Sequence, residues 1–327
     1  MWNATIRLPK VLYIAIKNMM RQKHFLTNEI APLVAPFSKT NDGTISSTEI
    51  KKIYSYYGLG VPAVLGEGFA LLHNRSLNHS ERFCTTALGA LTGLFDDYLD
   101  KKQGNTAELL LLIFKPEMAK VESDFERLFQ TFAVKALENI PDKKRFENSI
   151  SQIIDMQLES ANQHILNDDK LLQLTLEKGG KSLLFYRMAL PEEISAQEQE
   201  ILFHLGGLMQ MGNDIFDVFE DTIQGTETIF TRMTTVANGR SLFIKQWQHT
   251  FDLISDSDLQ NTQLFADIMA FGLARCFVCL NQFEKLEHFS GSFQPKSYER
   301  EQLICDMEKP KNLLSAINHF IQHKKQG

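Results

Sequence analysis

This chain of 327 residues is poor in several features that fix common architectures. Cysteine is scarce: Cys84, Cys276, Cys279 and Cys305 are too few for a disulfide framework at this length. Cys276 and Cys279 form a CxxC, but no second CxxC or histidine pair completes a zinc set. The surrounding residues 271–280 read as a buried helix, so core cysteines are expected there. Long apolar runs are missing, and none is longer than residues 109–114, far too short to span a bilayer. The patch at residues 11–16 is closed off by Lys17 and Arg21 and does not make a signal peptide. These absences predict a cytoplasmic protein with no transmembrane segment. Excess positive charge is lacking too; a net charge of −6 argues against a nucleic-acid partner. No low-complexity tract occurs, and the charge balance is too mild for disorder.

Proline is also rare, at nine residues, and nearly every segment carries helical rather than alternating periodicity. With 43% hydrophobic residues there is ample material for a sizeable core. The expected fold class is all-α, a helical bundle. Helix breaks are expected at residues 36–43, 58–62, 74–80, 104–105, at Pro141, Pro191, Gly225 and Gly239, and at 290–295. None is long or polar enough for an interdomain linker. A single domain over 1–327 is therefore expected, with 1–45 as an N-terminal helical extension. Residues 38–49 resemble a calcium-binding helix–loop–helix loop in their glycine, isoleucine and terminal glutamate. Ser38 and Thr40 stand where the first acidic ligands belong, and no paired hand follows. A turn capped by Ser46 and Glu49 is the better expectation.

What the chain does have is two acidic clusters, each closing an apolar helical run. The first is Asp96-Asp97-Tyr98-Leu99-Asp100; the second runs from Asn213 through Asp214, Asp217 and Glu220 to Asp221. Like charges at helical spacing repel, and carboxylates at the edge of an apolar core are costly unless a cation compensates them. Asp96 and Asp100 are spaced to share a helix face, with Asp97 beside them. Asn213, Asp217 and Asp221 repeat at i, i+4 and i+8, an oxygen ladder along one stripe, with Asp214 on the neighbouring face. Oxygen donors between apolar and aromatic residues suit magnesium, which takes few carboxylates and fills its remaining positions with water and phosphate.

These motifs resemble those of the class I isoprenoid synthases, across roughly residues 45–325. The first cluster looks like their aspartate-rich DDxxD motif. Residues 210–217 are similar to the second aspartate-rich motif of trans-prenyltransferases, with Asn213 in place of its first aspartate. The same stretch through Asp221 resembles the asparagine–serine–glutamate motif of terpene cyclases, and Gln210, Asn213 and residues 217–221 that of squalene and phytoene synthases. The resemblance implies an isoprenoid synthase fold with a central active-site cavity and metal motifs on opposed helices. It implies several Mg2+ ions held by Asp96, Asp97, Asp100, Asn213, Asp214, Asp217 and Asp221, together with a prenyl diphosphate substrate. It also implies a basic element that grips the diphosphate. Lys178, Lys181 and Arg187 stand in the right stretch, and Lys181-Ser182 resembles the lysine–threonine pair of trans-prenyltransferases. Gly179-Gly180 would supply a helix break, since adjacent glycines cost about 1 kcal/mol each in a helix interior.

The reaction implied is ionisation of an allylic diphosphate, with the carbocation kept from water beside aromatic faces. Gln210, Phe95, Tyr98 and Phe216 are the candidate substrate contacts nearest the motifs, with Phe185 and Tyr186 further off. Chain elongation needs a basic GKRxRP-like site upstream of the first motif. Residues 58–65 have its glycine and proline but none of its cations, and the arginine pair after the motif is represented only by Lys101-Lys102. Elongation is disfavoured on that ground. A terpene cyclase-type lyase is the leading expectation. A head-to-head prenyltransferase, a transferase favoured by residues 217–221, is the alternative, although the expected tyrosine-rich segment is missing. A non-catalytic prenyl-lipid-binding protein and a metal-dependent hydrolase are weaker readings, the latter because the histidines are dispersed. A homodimer is compatible with the family.

Overall fold

A computed structural model describes residues 4–101, 106–160 and 163–323. Among the described residues every regular element is helical and none is a strand. The first half of the chain forms α1 (Ala4–Phe25), α2 (Ala31–Lys39), α3 (Ser47–Lys51), α4 (Tyr57–Gly60) and α5 (Glu67–Leu72). It continues with α6 (His79–Lys101), α7 (Thr106–Phe114), α8 (Asp124–Asn139) and α9 (Lys143–Ser160). The second half forms α10 (Asp168–Arg187), α11 (Ala196–Phe216), α12 (Val218–Gln224), α13 (Ile229–Arg232) and α14 (Val236–Ser255). It ends with α15 (Thr262–Leu273), α16 (Arg275–Ser290), α17 (Arg300–Leu303) and α18 (Pro310–His323).

The chain folds into two compact units. One comprises Leu12–Ser151 and Phe185–Glu193; the other comprises Met1–Val11, Gln152–Leu184 and Ile194–Gly327. In the unit built on 12–151, α6 and α8 form the central pair. Their apolar faces bring Leu88, Leu94, Tyr98, Leu128, Phe129 and Phe132 out of water. Gly89 and Gly93 admit the neighbouring segment: a Cβ on Gly89 would stand 2.8 Å from the Tyr57 carbonyl oxygen. A buried polar network ties α1 to α5 and α6. Gln22 donates to the Gly58 carbonyl (2.7 Å) and to Thr86 (3.0 Å), and Arg82 donates to Gln22 (3.0 Å) and pairs with Glu67. A cavity of about 340 Å³, lined by Arg21, Phe25, Leu77, His79 and Arg82 among others, opens beside this network.

Local signals account for most helix ends. Ser46 and Glu49 form the reciprocal capping box that opens α3, and Ser123 and Glu126 open α8 in the same way. Glu49 is thereby engaged with the Ser46 backbone, and Asp42 and Asp124 exchange backbone-to-carboxylate hydrogen bonds of 2.8 and 2.9 Å. The calcium-loop-like segment is a capped turn. Gly225 and Gly291 end α12 and α16 at φ 73° and 80°, the left-handed conformation that favours glycine.

Two expected breaks differ. Residues 58–62 continue as helix, through wider i→i+5 turns at Lys52–Tyr56 and Val61–Gly66. Gly239 lies inside α14, where a Cβ would meet the Met233 sulfur at 2.7 Å. The break expected at 36–43 is present but begins after Lys39, with Pro36 still inside α2. Gly104 and Asn105 lie outside the described residues. The stretch Thr262–Ser290 is long and apolar enough, by length and composition, to cross a membrane, a feature the run-length criterion missed. It turns at Ala274, and 67% of its most apolar window is buried within the fold, as in the core helix of a folded domain.

Candidate functional site

The second acidic cluster sits where α10 crosses α11. Gly179 and Gly180 face Gly206 and Gly207, and the two helices run antiparallel, Leu176 against Gly207 and Gly180 against Phe203. A Cβ on Gly179 would lie 2.1 Å from the Gly206 carbonyl oxygen, and one on Gly206 2.2 Å from that of Gly179. Only glycine permits this approach. The expected break at Gly179-Gly180 is therefore corrected: α10 runs unbroken, and its glycines serve helix packing. One turn away the same crossing brings Thr175 of α10 to Asp214 of α11.

Asp214 is buried and accepts from Gln210 Nε2 (2.8 Å) and Thr175 Oγ1 (3.5 Å). Burial raises its carboxyl to about 6, against the easing effect of those bonds and of Lys178. Asp217 occupies the junction between α11 and α12, with φ −93° and ψ 9°. The expected stripe is thus interrupted as a helix, yet its hydrogen bonds persist. The Asp217 amide donates to the Asn213 carbonyl (2.9 Å), and the Asp221 amide to that of Asp217 (2.8 Å). Asn213 Nδ2 also donates to Asp217 Oδ2 (2.9 Å). Burial raises the Asp217 carboxyl, while Asn213 and Arg275 hold it down. Asp221 is pushed up to about 7, by burial first and then by the charges of Asp214 and Asp217, with Lys178 opposing. Arg275, at the start of α16, lies over the Phe216 ring, 4.3 Å from its centroid.

Of the basic candidates, Lys178 acts electrostatically on Asp214 and Asp221, and Lys181 is half-buried and paired with Glu177 at 3.4 Å. Arg187 is buried in the other unit, where it bonds His73 (3.0 Å) and the carbonyls of Leu190 (3.4 Å) and Glu192 (3.3 Å). Its guanidinium braces the turn after α10. In the first cluster, Asp97 is half-buried and held by Lys52 at 2.8 and 2.9 Å. The side chains of Asp96 and Asp100 lie outside the described residues. Phe95 is buried, and Tyr98 is fully buried against Phe125 and Phe129. Burial, together with the carboxylates of Glu108 and Glu126, pushes the Tyr98 phenol up to about 12. Phe185 stacks on Phe146 in the core.

Thr175, Lys52 and Arg275 escape a sequence reading. For Arg275 a signal exists, since it is the lone charge within the apolar residues 271–280. Cys276 and Cys279 are buried free thiols, as the apolar context predicts. The histidines are less dispersed than expected: the rings of His204 and His249 meet edge to face at 4.4 Å. Among the described residues no three His, Cys, Asp or Glu side chains are already gathered as a metal-binding group. No family model matches the chain, and no curated protein matches it either.

Proposed function

We propose that the chain is a magnesium-dependent class I terpene synthase that ionises an allylic prenyl diphosphate, cyclises or rearranges the carbocation and releases diphosphate. The observation that carries this reading is the register of Asn213, Asp217 and Asp221 at the α11–α12 junction, where Asn213 Nδ2 donates to Asp217 Oδ2 and each amide reaches back to the preceding carbonyl. Burial raises the carboxyls of Asp214, Asp217 and Asp221 there, with the charges of Lys178 and Arg275 and the bonds from Gln210, Thr175 and Asn213 acting against it. A divalent cation relieves both the burial and the mutual repulsion. The donors fit a hard ion: all are oxygens, and Asn213 gives its nitrogen to Asp217, so a cation would meet its carbonyl oxygen. Asn213, Asp217 and Asp221 would hold the metal, while Asp214 is engaged by Gln210 and Thr175 and fixes them. Bound magnesium supplies Lewis-acid polarisation of the diphosphate leaving group and a template for it.

The chain's own residues supply the remainder. Lys178 and Arg275 carry the positive charge that would stabilise the departing diphosphate. Phe216 lies under the Arg275 guanidinium, so it orients that donor rather than a carbocation. The Tyr98 phenol, at about 12, stays protonated near neutrality and does not act as a base. The resemblance proposes Asp96, Asp97 and Asp100 as a metal motif of their own, and Asp97 would have to leave Lys52 to bind a cation. We read the fold as the isoprenoid synthase fold with its central cavity, which the wholly helical elements support. The spacing of Asp217 and Asp221 within one carboxylate group equally suits head-to-head condensation of two prenyl diphosphates, the second reading.

The test is purified protein with magnesium and geranyl, farnesyl or geranylgeranyl diphosphate, each with and without isopentenyl diphosphate. A cyclic or rearranged hydrocarbon or alcohol from one substrate alone supports the cyclase, and a doubled chain the head-to-head enzyme. Asn213→Ala and Asp221→Asn are expected to lower turnover by about 100-fold or more with the helical content unchanged. Full activity in either variant removes the site assignment.

A further inference from the structure

The first 28 residues hold five of the 34 lysines and arginines and none of the 40 acids, so a chain of net −6 is +5 there and −11 beyond. Most of that segment is α1. Along it Ile6, Tyr13, Ile16 and Met20 are 58–66% exposed. Their spacing of seven, three and four residues is the heptad seam, and at about 100° per residue they fall within an arc of about 80°. Lys10 and Lys17 border the arc on one side and Lys23 on the other, and all three are exposed. Among the described residues no ion pair engages any of these lysines. The opposite side of the helix carries Val11, Asn18, Gln22 and Phe25, all buried. One face of α1 is therefore fixed within the fold, while the other is an unpartnered apolar strip edged by cations.

An apolar heptad seam fits either a second helix or a membrane surface. Charge decides between them. A second copy of α1, parallel or antiparallel, would set lysines against lysines, and the first acid in the sequence is Glu29, beyond the helix. The partner must be anionic and must accept apolar side chains without a shaped groove. We propose that α1 docks this protein on an anionic lipid surface, lying in the interfacial plane. Tyr13, Ile16 and Met20 enter the boundary between headgroups and acyl chains. Lys10, Lys17 and Lys23 meet the lipid phosphates. Tyr13 suits that depth, because its ring is apolar and its hydroxyl stays hydrated. The buried face of α1 limits insertion to the exposed half of the helix. The inference does not depend on the reading of the carboxylate site.

Flotation of the whole chain with vesicles tests it. Vesicles of phosphatidylcholine and phosphatidylglycerol at 3:1 are compared with phosphatidylcholine alone in 0.1 M salt. The anionic vesicles are expected to bind about 10-fold or more better, and 1 M salt to remove most of that preference. Each lysine beside an anionic surface is worth about fivefold, so the triple variant Lys10→Glu, Lys17→Glu, Lys23→Glu should lose about 100-fold or more. Tyr13→Ser, Ile16→Ser, Met20→Ser should lose binding with its circular dichroism unchanged, since these side chains face outward. Equal binding to neutral vesicles overturns the proposal, as does no binding to either. A lipid-free dimer in sedimentation velocity that the serine variant converts to monomer also overturns it, in favour of a second copy as the occupant.

Discussion

A carboxyl held at about 7 instead of its ordinary 3.8 is a stability statement as well as a chemical one, and Asp221 carries that statement here. Its folded-state value lies above its unfolded one, so between those values the folded state binds more protons and the slope of stability against pH is negative. The favourable contribution is complete below about pH 3.8 and is lost as pH rises through 7; Asp214, raised to about 6, adds to the same trend over a narrower window. In a chelator, urea unfolding should therefore show stability falling from pH 5 to pH 8. Asp221→Asn should flatten the profile and raise stability at pH 8 by on the order of 1–2 kcal/mol, a figure discounted for the partial exposure of this side chain. A profile as steep in the variant as in the parent would remove Asp221 as its source. Excess magnesium should produce the same flattening in the parent, because a bound cation replaces the proton.

At the scale of elements, the crossing of α10 on α11 depends on four small residues and not on side-chain interlock. Gly206→Ala would drive a methyl to within 2.2 Å of the Gly179 carbonyl oxygen, a backbone atom that cannot rotate away. Thermal unfolding should show it to be destabilised by on the order of 2–4 kcal/mol, with the proposed metal-dependent turnover lost as Thr175 and Asp214 separate. Gly272→Ala is the control: nothing lies within 4 Å of its added Cβ, and it should be neutral or stabilising by about 0.5–1 kcal/mol. Equal losses in both would remove the crossing as the source of the effect, because alanine is the better helix former at either position.

The same glycines show where the sequence is legible. Ser46 with Glu49, Gly225 and Gly291 announce helix ends because the cause is local: a cap side chain, or a left-handed backbone. Gly179, Gly180, Gly239 and residues 58–62 look the same in sequence and do the opposite. Gly179 and Gly180 answer Gly206 and Phe203, far along the chain, which local pattern does not reveal, whereas Gly239 packs on nearby Met233 and Phe230 and Gly58 on the Ile53 carbonyl. The candidate site divides in the same way. Asn213, Asp217 and Asp221 are found from i, i+4 spacing. Arg187 is absorbed by His73 and the 190–192 carbonyls, Thr175 and Lys52 enter through tertiary packing alone, and Arg275 shows in the sequence only as the lone charge of residues 271–280.

Over the whole molecule the unbalanced charge is unevenly placed, with cations concentrated in α1 and carboxylates gathered at the α11–α12 junction. A site of that kind, short of positive charge, should be stabilised by metal and polyanion together more than by either alone. Magnesium without diphosphate leaves ligand positions to water, and diphosphate without magnesium meets the carboxylates as like charge. A ligand that binds only the folded state adds RT ln(1 + [L]/Kd), about 2.7 kcal/mol at a hundredfold excess. For a chain of this length that corresponds to a rise of a few degrees in Tm. Differential scanning fluorimetry at pH 8 should therefore show magnesium plus inorganic diphosphate raising Tm beyond the sum of their separate shifts, and Asn213→Ala should abolish the surplus. Simple additivity would leave magnesium as a counter-ion to the carboxylates and remove diphosphate from the site. A surplus that persists in Asn213→Ala would place the paired ligands elsewhere, because the variant removes both the amide that donates to Asp217 and the carbonyl oxygen proposed for the metal.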